Sequence, residues 1–233
     1  MAEVIGIIGA MSVEVDALKS KIENAQRETV SGIEFVSGTL CGKQVVVAQC
    51  GIGKVFAAIC AQTLILRFGA KKIINTGVAG TLSADIGILD FAISDSVVQH
   101  DMDTTAIGDA PGLISGINIV KIPASSTLAS ATANAARTLG YKNLVGTIAS
   151  GDQFINNAQR KAFIRDTFGA IACEMEGAAI GHVCYVSGVD FVVIRCISDN
   201  ASGEAELEYP EMVKRAAARS EALVEELLGA LEV

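Results

Sequence analysis

Short apolar runs, most of them closed by glycine or a small polar residue, alternate along this chain with stretches of helical spacing, and that alternation limits the fold more than any other feature. Val4 to Ile8 is such a run, closed by Gly9, and Ser12 is placed to cap a helix reaching about Lys21. Ile33 to Leu40 and Gln44 to Cys50 read as two strands meeting at Cys41-Gly42, a hairpin. Lys54 to Phe68 is helical in spacing and stops at Gly69. Lys72 to Thr76 reads as a strand followed by a glycine-bearing turn, Gly77-Val78-Ala79-Gly80.

Phe91 to Val98 and Leu144 to Ala149 are further strands, with a helix from Leu128 to Leu139 between them. Helices are expected over Asn157 to Phe168 and Glu176 to Val186, then a strand from Phe191 to Cys196. The last helix, from about Pro210 to Leu228, sets Val213, Ala217, Ser220, Val224 and Leu228 along one stripe.

Strands separated by helices predict an α/β sandwich with a largely parallel central sheet. The 233 residues, 51% of them hydrophobic and without a Pro-rich or Ser-rich linker, suit one domain. In such sheets ligands bind at the carboxyl ends of the strands. That directs attention to Gly9-Ala10-Met11, Gly51-Ile52-Gly53, Gly77-Val78-Ala79-Gly80, Ser150-Gly151-Asp152 and Ser198-Asp199.

Several function classes are disfavoured. A net charge of −8 with no basic run argues against nucleic acid as a partner. Charges interrupt the apolar stretches well short of the roughly 20 residues that span a bilayer. Met1-Ala2-Glu3-Val4 lacks the basic segment of a signal peptide, so a cytoplasmic location is expected. Cys41, Cys50, Cys60, Cys173, Cys184 and Cys196 have no C-x-x-C spacing and read as reduced, mostly buried thiols. Neither His100 nor His182 has a cysteine at ligand spacing, so no metal is expected. His100, beside Asp101, reads as a hydrogen-bonded structural residue and His182 as packing.

Gly6-Ile7-Ile8-Gly9-Ala10 lacks the dinucleotide glycine order. Gly51-Ile52-Gly53-Lys54 has Ala48 where a P-loop begins and Val55 where its Ser/Thr belongs, so neither NAD nor ATP is indicated. No G-x-S-x-G elbow is present.

What remains is a set of carboxylates at strand ends: Glu14 in the first turn after the first strand, Glu174 and Glu176 flanking Met175, and Asp199 after a continuous apolar run. Taken singly, Glu14 and Asp199 suit helix or turn caps. Glu174 and Glu176 are two apart, so they point in different directions and at most one faces a site.

Together these segments resemble the 5′-methylthioadenosine/S-adenosylhomocysteine nucleosidases, within the larger group of nucleoside phosphorylases. The matching stretches are Ile5-Gly6-Ile7-Ile8-Gly9-Ala10-Met11 with Glu14, Gly51-Ile52-Gly53-Lys54-Val55, Ile74-Asn75-Thr76-Gly77, Ser150-Gly151-Asp152-Gln153-Phe154-Ile155, Glu174-Met175-Glu176 and Arg195-Cys196-Ile197-Ser198-Asp199. Six segments in the family's order cover essentially the whole chain.

The resemblance implies a three-layer α/β/α sandwich with a mixed, largely parallel sheet, no cofactor, and an adenine nucleoside as substrate. It also implies a homodimer in which a loop of the partner completes each site. Asp199 would protonate adenine N7 and Glu14 would activate water. Glu176 would bind the ribose hydroxyls with Met175 beside the sugar, Val78 and Ser198 would be among the substrate-binding residues, and Glu174 and Arg195 would support the site. Phe154 would stack on adenine while the Ile155 backbone reads its amine edge. Met11, Ile52 and Tyr209 would line the 5′-thio end. Base loss through an oxocarbenium-like state gains from an acid on the leaving group and a carboxylate near the sugar. Such an assignment expects Asp199 to have a raised pKa and Glu14 to stay ionised at its helix N-terminus.

Two positions depart from the family. Val78 stands where serine is usual. Ile107, in the loop after His100, stands where an aromatic usually reaches the neighbouring subunit's 5′ pocket. The usual serine is a hydroxyl close to the sugar and nucleophile, so the two departures leave adenine recognition and the acid in place and bear on the 5′ substituent and on efficiency. Asn75 occupies the position of a phosphate-binding arginine in the related phosphorylases, which favours hydrolysis. A phosphorylase or a futalosine-type hydrolase is the runner-up, and a non-catalytic nucleoside binder stands below both.

Overall fold

The computed structural model describes residues 3–199 and 209–231, apart from the side chains of Asp199, Tyr209 and Pro210. Its first half contains β1 (Val4–Gly9), α1 (Ser12–Ser20), β2 (Glu23–Val30), β3 (Ile33–Leu40), β4 (Lys43–Gln49), α2 (Lys54–Phe68), β5 (Ala70–Thr81) and β6 (Phe91–Gln99). There follow β7 (Ile122–Pro123), α3 (Ser126–Thr138), β8 (Asn143–Ser150), α4 (Ala158–Phe168), β9 (Ala170–Glu174), α5 (Gly177–Ser187), β10 (Asp190–Asp199) and α6 (Tyr209–Ala230).

The apolar runs become neighbouring strands of one mixed sheet. β4, β1, β5 and β10 lie side by side and parallel, in a register that pairs Ile7 with Val47 and Ile74, and Ile194 with Thr76. β6, β8 and β9 form a second parallel group. Antiparallel pairings of β10 with β6 and of β5 with β9 join the groups, closing β5, β10, β6, β8 and β9 into a ring. Beyond β4 the sheet continues outward, antiparallel, through β3 and β2.

Side chains alternate across a strand, and here both faces are covered, which explains runs apolar at nearly every position. Ile5, Ile7, Val192 and Ile194 pack with Leu18 of α1, Leu128 of α3 and Leu223 of α6. Ile8, Phe191 and Val193 belong to the opposite core with Leu64 of α2 and Ile180 of α5. A third cluster seats Ile164 and Phe168 of α4 on Leu82, Val98 and Ala149. These layers form the expected α/β/α sandwich.

Local chemistry sets the turns. Cys41 and Gly42 both take positive φ, 50° and 73°, the geometry of a two-residue hairpin whose twist matches its strands. Gly69 ends α2 in the left-handed conformation foreseen for it.

Three expectations fail locally. The segment Gly77-Val78-Ala79-Gly80 is not a turn: β5 continues to Thr81, because β10 and then β9 supply hydrogen-bond partners along its far half. Helix α1 is capped at Met11 instead of Ser12, and the Glu14 carboxylate reaches back to the first free N–H groups. β2 and β9 were not foreseen. The first is a polar, exposed outer strand without an apolar face, and the second is five residues long. Among the described residues no helix is long and apolar enough to cross a membrane.

Candidate active site

The carboxyl ends of β1, β5, β9 and β10 surround one cleft. It is lined by Ala10, Met11, Glu14, Ile52, Val78, Ala79, Gly80, Phe154, Cys173, Glu174, Met175, Glu176 and Ser198.

Glu14, in the first turn of α1, is buried, and its carboxyl reaches across to β5. Its Oε2 accepts from the backbone N–H groups of Ala10 (2.8 Å) and Met11 (2.9 Å), and its Oε1 accepts from that of Val78 (3.2 Å). Gly77 permits this approach, since a Cβ there would sit 2.8 Å from Oε1. Burial pushes the Glu14 carboxyl above its ordinary range, against the opposing pull of Arg195 and the three N–H donors. The helix N-terminus therefore does not keep Glu14 as acidic as its position in the sequence implies: desolvation outweighs it.

Arg195 lies beneath the cleft, fully buried. Its Nη2 donates to Asn75 Oδ1 (2.6 Å) and forms an ion pair with Glu174, while Nη1 donates to the carbonyls of Asn75 (3.3 Å) and Ile194 (3.1 Å). Glu176 Oε2 stands 3.8 Å from the same Nη2. Burial works against the Arg195 charge, and Glu174, Glu176 and Glu14 more than restore it.

The two acids around Met175 diverge as their spacing requires. Glu174 accepts from the Ser150 hydroxyl, from Arg195 and from the N–H groups of Glu176 (3.1 Å) and Gly177 (2.8 Å), so it is engaged in holding the start of α5. Glu176 accepts one N–H, from Gly53 at 2.9 Å. Burial, helped by neighbouring Glu174 and opposed by Arg195, raises its pKa to about 7.

Met11, Met175 and Val78 form apolar wall, and exposed Ile52 and Phe154 stand at the lip. Ile155 lines a smaller adjoining pocket with Phe154, Gln153, Lys161 and Leu82. Ser198 is buried on the floor. Asp199 closes β10 with its backbone opposite Gly80, and its side chain, like that of Tyr209, lies outside the described part. Ile107 is 81% exposed in the turn Thr105–Ile107 and does not line this cleft.

His100 is not the hydrogen-bonded residue expected: both ring nitrogens are buried without a partner among the described residues, and burial lowers its pKa. His182 Nδ1 stands 3.4 Å from Gln99 Nε2. The strand-end segments singled out in the sequence supply Ala10, Ala79 and Gly80 to the lining, while Cys173 was overlooked. All six cysteines are free, and Cys41 alone among them is exposed. Among the described residues no group of His, Cys, Asp and Glu is placed to hold a metal.

The cleft thus joins two carboxyl groups of raised pKa to apolar walls, and no Lys or Arg is among its lining residues. A carboxyl group that titrates near 7, as that of Glu176 does, exchanges protons near neutrality.

Residues 4–229 match the model of the phosphorylase superfamily. A 5′-methylthioadenosine/S-adenosylhomocysteine nucleosidase of Shewanella halifaxensis is 42% identical over 97% of this chain and 99% of its own. The Neisseria meningitidis nucleosidase of the same name, solved with methylthio-immucillin-A, superposes with a TM-score of 0.93 at 36% identity, covering 98% of this chain and 100% of its own. A futalosine hydrolase of Helicobacter pylori superposes with a TM-score of 0.93 at 34% identity, covering 99% of both chains.

Proposed function

The chain belongs to the phosphorylase superfamily and, within it, to the 5′-methylthioadenosine/S-adenosylhomocysteine nucleosidases, and from that premise we propose that it hydrolyses the N-glycosidic bond of one or both of these nucleosides, releasing adenine.

In this reading Asp199 gives a proton to adenine N7, so that the base leaves neutral as positive charge grows on the ribose. Glu14, with its raised pKa, takes the proton of the attacking water. Glu176 accepts hydrogen bonds from the ribose hydroxyls, and Met175 packs beside the sugar. Phe154 lies over the base and the Ile155 main chain meets its amine edge. Met11, Ile52 and Tyr209 surround the 5′-thio group, and Val78 lies close to the sugar, beside Glu14.

One observation carries the choice of water over phosphate. The cleft presents Glu14, Glu174 and Glu176, and no Lys or Arg is among its lining residues. A second anionic substrate needs cations to hold it. Asn75, at the position where a phosphorylase would supply one, is turned away: its side chain donates to Ile8 O and accepts from Arg195.

Adenine release from methylthioadenosine in phosphate-free buffer tests the reading, with Asp199→Asn beside the wild type. We expect turnover by the wild type and a loss of roughly 10²–10⁴-fold in the variant, the usual contribution of a positioned acid. Turnover only after phosphate is added would move the chain to the phosphorylases. The likeness to a futalosine hydrolase supports a second reading, hydrolysis of that nucleoside, which a side-by-side assay of the three substrates separates.

The homodimer and the cytoplasmic location belong to the same proposal. Val55, Phe56 and Ile59 form an exposed apolar face on α2, one helical turn from Ile52 at the cleft lip, and Ile107 is exposed as a partner-reaching side chain would be. Sedimentation at micromolar concentration checks the dimer. Six free cysteines suit a reducing compartment.

A further inference from the structure

Asp101 does not line the cleft, yet its carboxylate ties together two loops that do. Oδ1 accepts from Lys54 Nζ (2.7 Å) at the start of α2, and Oδ2 accepts from the backbone N–H of Asp152 (2.9 Å) after β8. Asp152 closes the circuit, its Oδ1 accepting from the backbone N–H of Lys54 at 2.8 Å. Each of the three residues bonds to both others. Lys54 Nζ also donates to Gln99 Oε1 (3.2 Å), so its ammonium is held from two sides.

The ring sits next to the residues that would grip substrate. Gly53, adjoining Lys54, donates its N–H to Glu176. Its φ of +101° suits glycine alone, and a Cβ there would lie 3.0 Å from Asp152 Oδ1, so the two loops pass in contact. Phe154 stands two residues beyond Asp152. The Lys54 and Asp101 side chains are 19% and 16% exposed, sheltered enough for solvent to screen their attraction only partly. Burial of Asp101 is outweighed by Lys54 and the Asp152 N–H, which hold its carboxyl below the ordinary range.

We propose that Asp101 is a positioning residue: through Lys54 and Asp152 it fixes the spacing between the Gly51-to-Lys54 loop, which anchors Glu176, and the Asp152-to-Ile155 loop, which carries the base platform. The proposal rests on the nucleosidase reading for its substrate but not for its geometry. Glu14 and Asp199 are attached elsewhere, so the ring governs how ribose and base are held and leaves the proton transfers to other residues.

The test uses the full chain, with Asp101→Asn and the double variant Lys54→Met/Asp101→Asn, which leaves no unpaired lysine behind. Steady-state kinetics with methylthioadenosine are measured beside amide hydrogen exchange. We expect KM to rise about tenfold or more in both variants with kcat within about threefold, and the double variant to be no worse than the single, because the residues act as a unit. We also expect exchange to quicken together in the peptides containing Gly53 and Phe154. An unchanged KM in a folded variant, a fall confined to kcat, or quickened exchange in only one of the two peptides would overturn the proposal. If the wild type releases no adenine, the nucleosidase reading fails, and the paired exchange still decides whether Asp101 couples the loops.

Discussion

Glu174 and Arg195 meet beneath the cleft in an ion pair whose two side chains are each 2% exposed. The guanidinium is the buried cation facing Glu174, Glu176 and Glu14 at once. Removing one partner of such a pair leaves charge buried without compensation, which costs about 3–5 kcal/mol. Arg195→Met is therefore expected to unfold at markedly lower urea at pH 7. The deficit should shrink at pH 5, where the orphaned carboxylates take up protons; urea titrations at both values check this.

The pKa of Glu176 gives a stability prediction with a definite sign. Its carboxyl titrates near 7 in the fold against 4.5 when unperturbed. Its contribution to stability is thus fully present below about 4.5 and lost as the pH rises through 7. Glu176→Gln keeps an acceptor for the Gly53 N–H and carries no charge. It should be more stable than wild type at pH 8 by roughly 3 kcal/mol and nearly equal to it at pH 4.5, as measured by urea unfolding. The same variant should bind ribose less well, raising KM.

Gly77→Ala tests the approach of Glu14 to β5. The added Cβ would lie 2.8 Å from Glu14 Oε1 and displace the carboxylate from the Val78 N–H. A misplacement of this order costs about 100-fold in rate. We expect that loss in kcat/KM with an unchanged circular dichroism spectrum.

Val78→Ser probes the departure from the family's serine. Glu14 is held by the main chain of residue 78, and the isopropyl group packs against the core beneath α1 and α6. We expect kcat/KM for methylthioadenosine to change by less than about tenfold, with a small loss of stability of about 1 kcal/mol. A larger kinetic change would show that the side chain at 78 does more than wall the cleft.

Local signals carried the hairpin at Cys41-Gly42, the end of α2 at Gly69 and the stripe of α6, because turn dihedrals, helix ends and apolar periodicity are properties of neighbouring residues. They failed at β2, whose polar edge lacks an alternating face, and at Gly77 to Gly80, where glycine serves close approach rather than a turn. His100 failed for the same reason: its burial depends on Gly151, 51 residues away in sequence, whose missing side chain lets the ring pack against the backbone.

The sequence by itself determined the alternation of strands and helices, the family, and a set of acids at strand ends. Only the tertiary structure decided what those acids became. Glu14 reaches the Val78 N–H across 64 residues, Glu176 the Gly53 N–H across 123, and Arg195 the Asn75 side chain across 120. Burial and charge pairing depend on which distant segments the sheet brings together, and a carboxyl group's affinity for its proton is set by those surroundings. The same residue type therefore becomes a capping, charge-paired Glu174 and, two positions on, a Glu176 poised near pH 7.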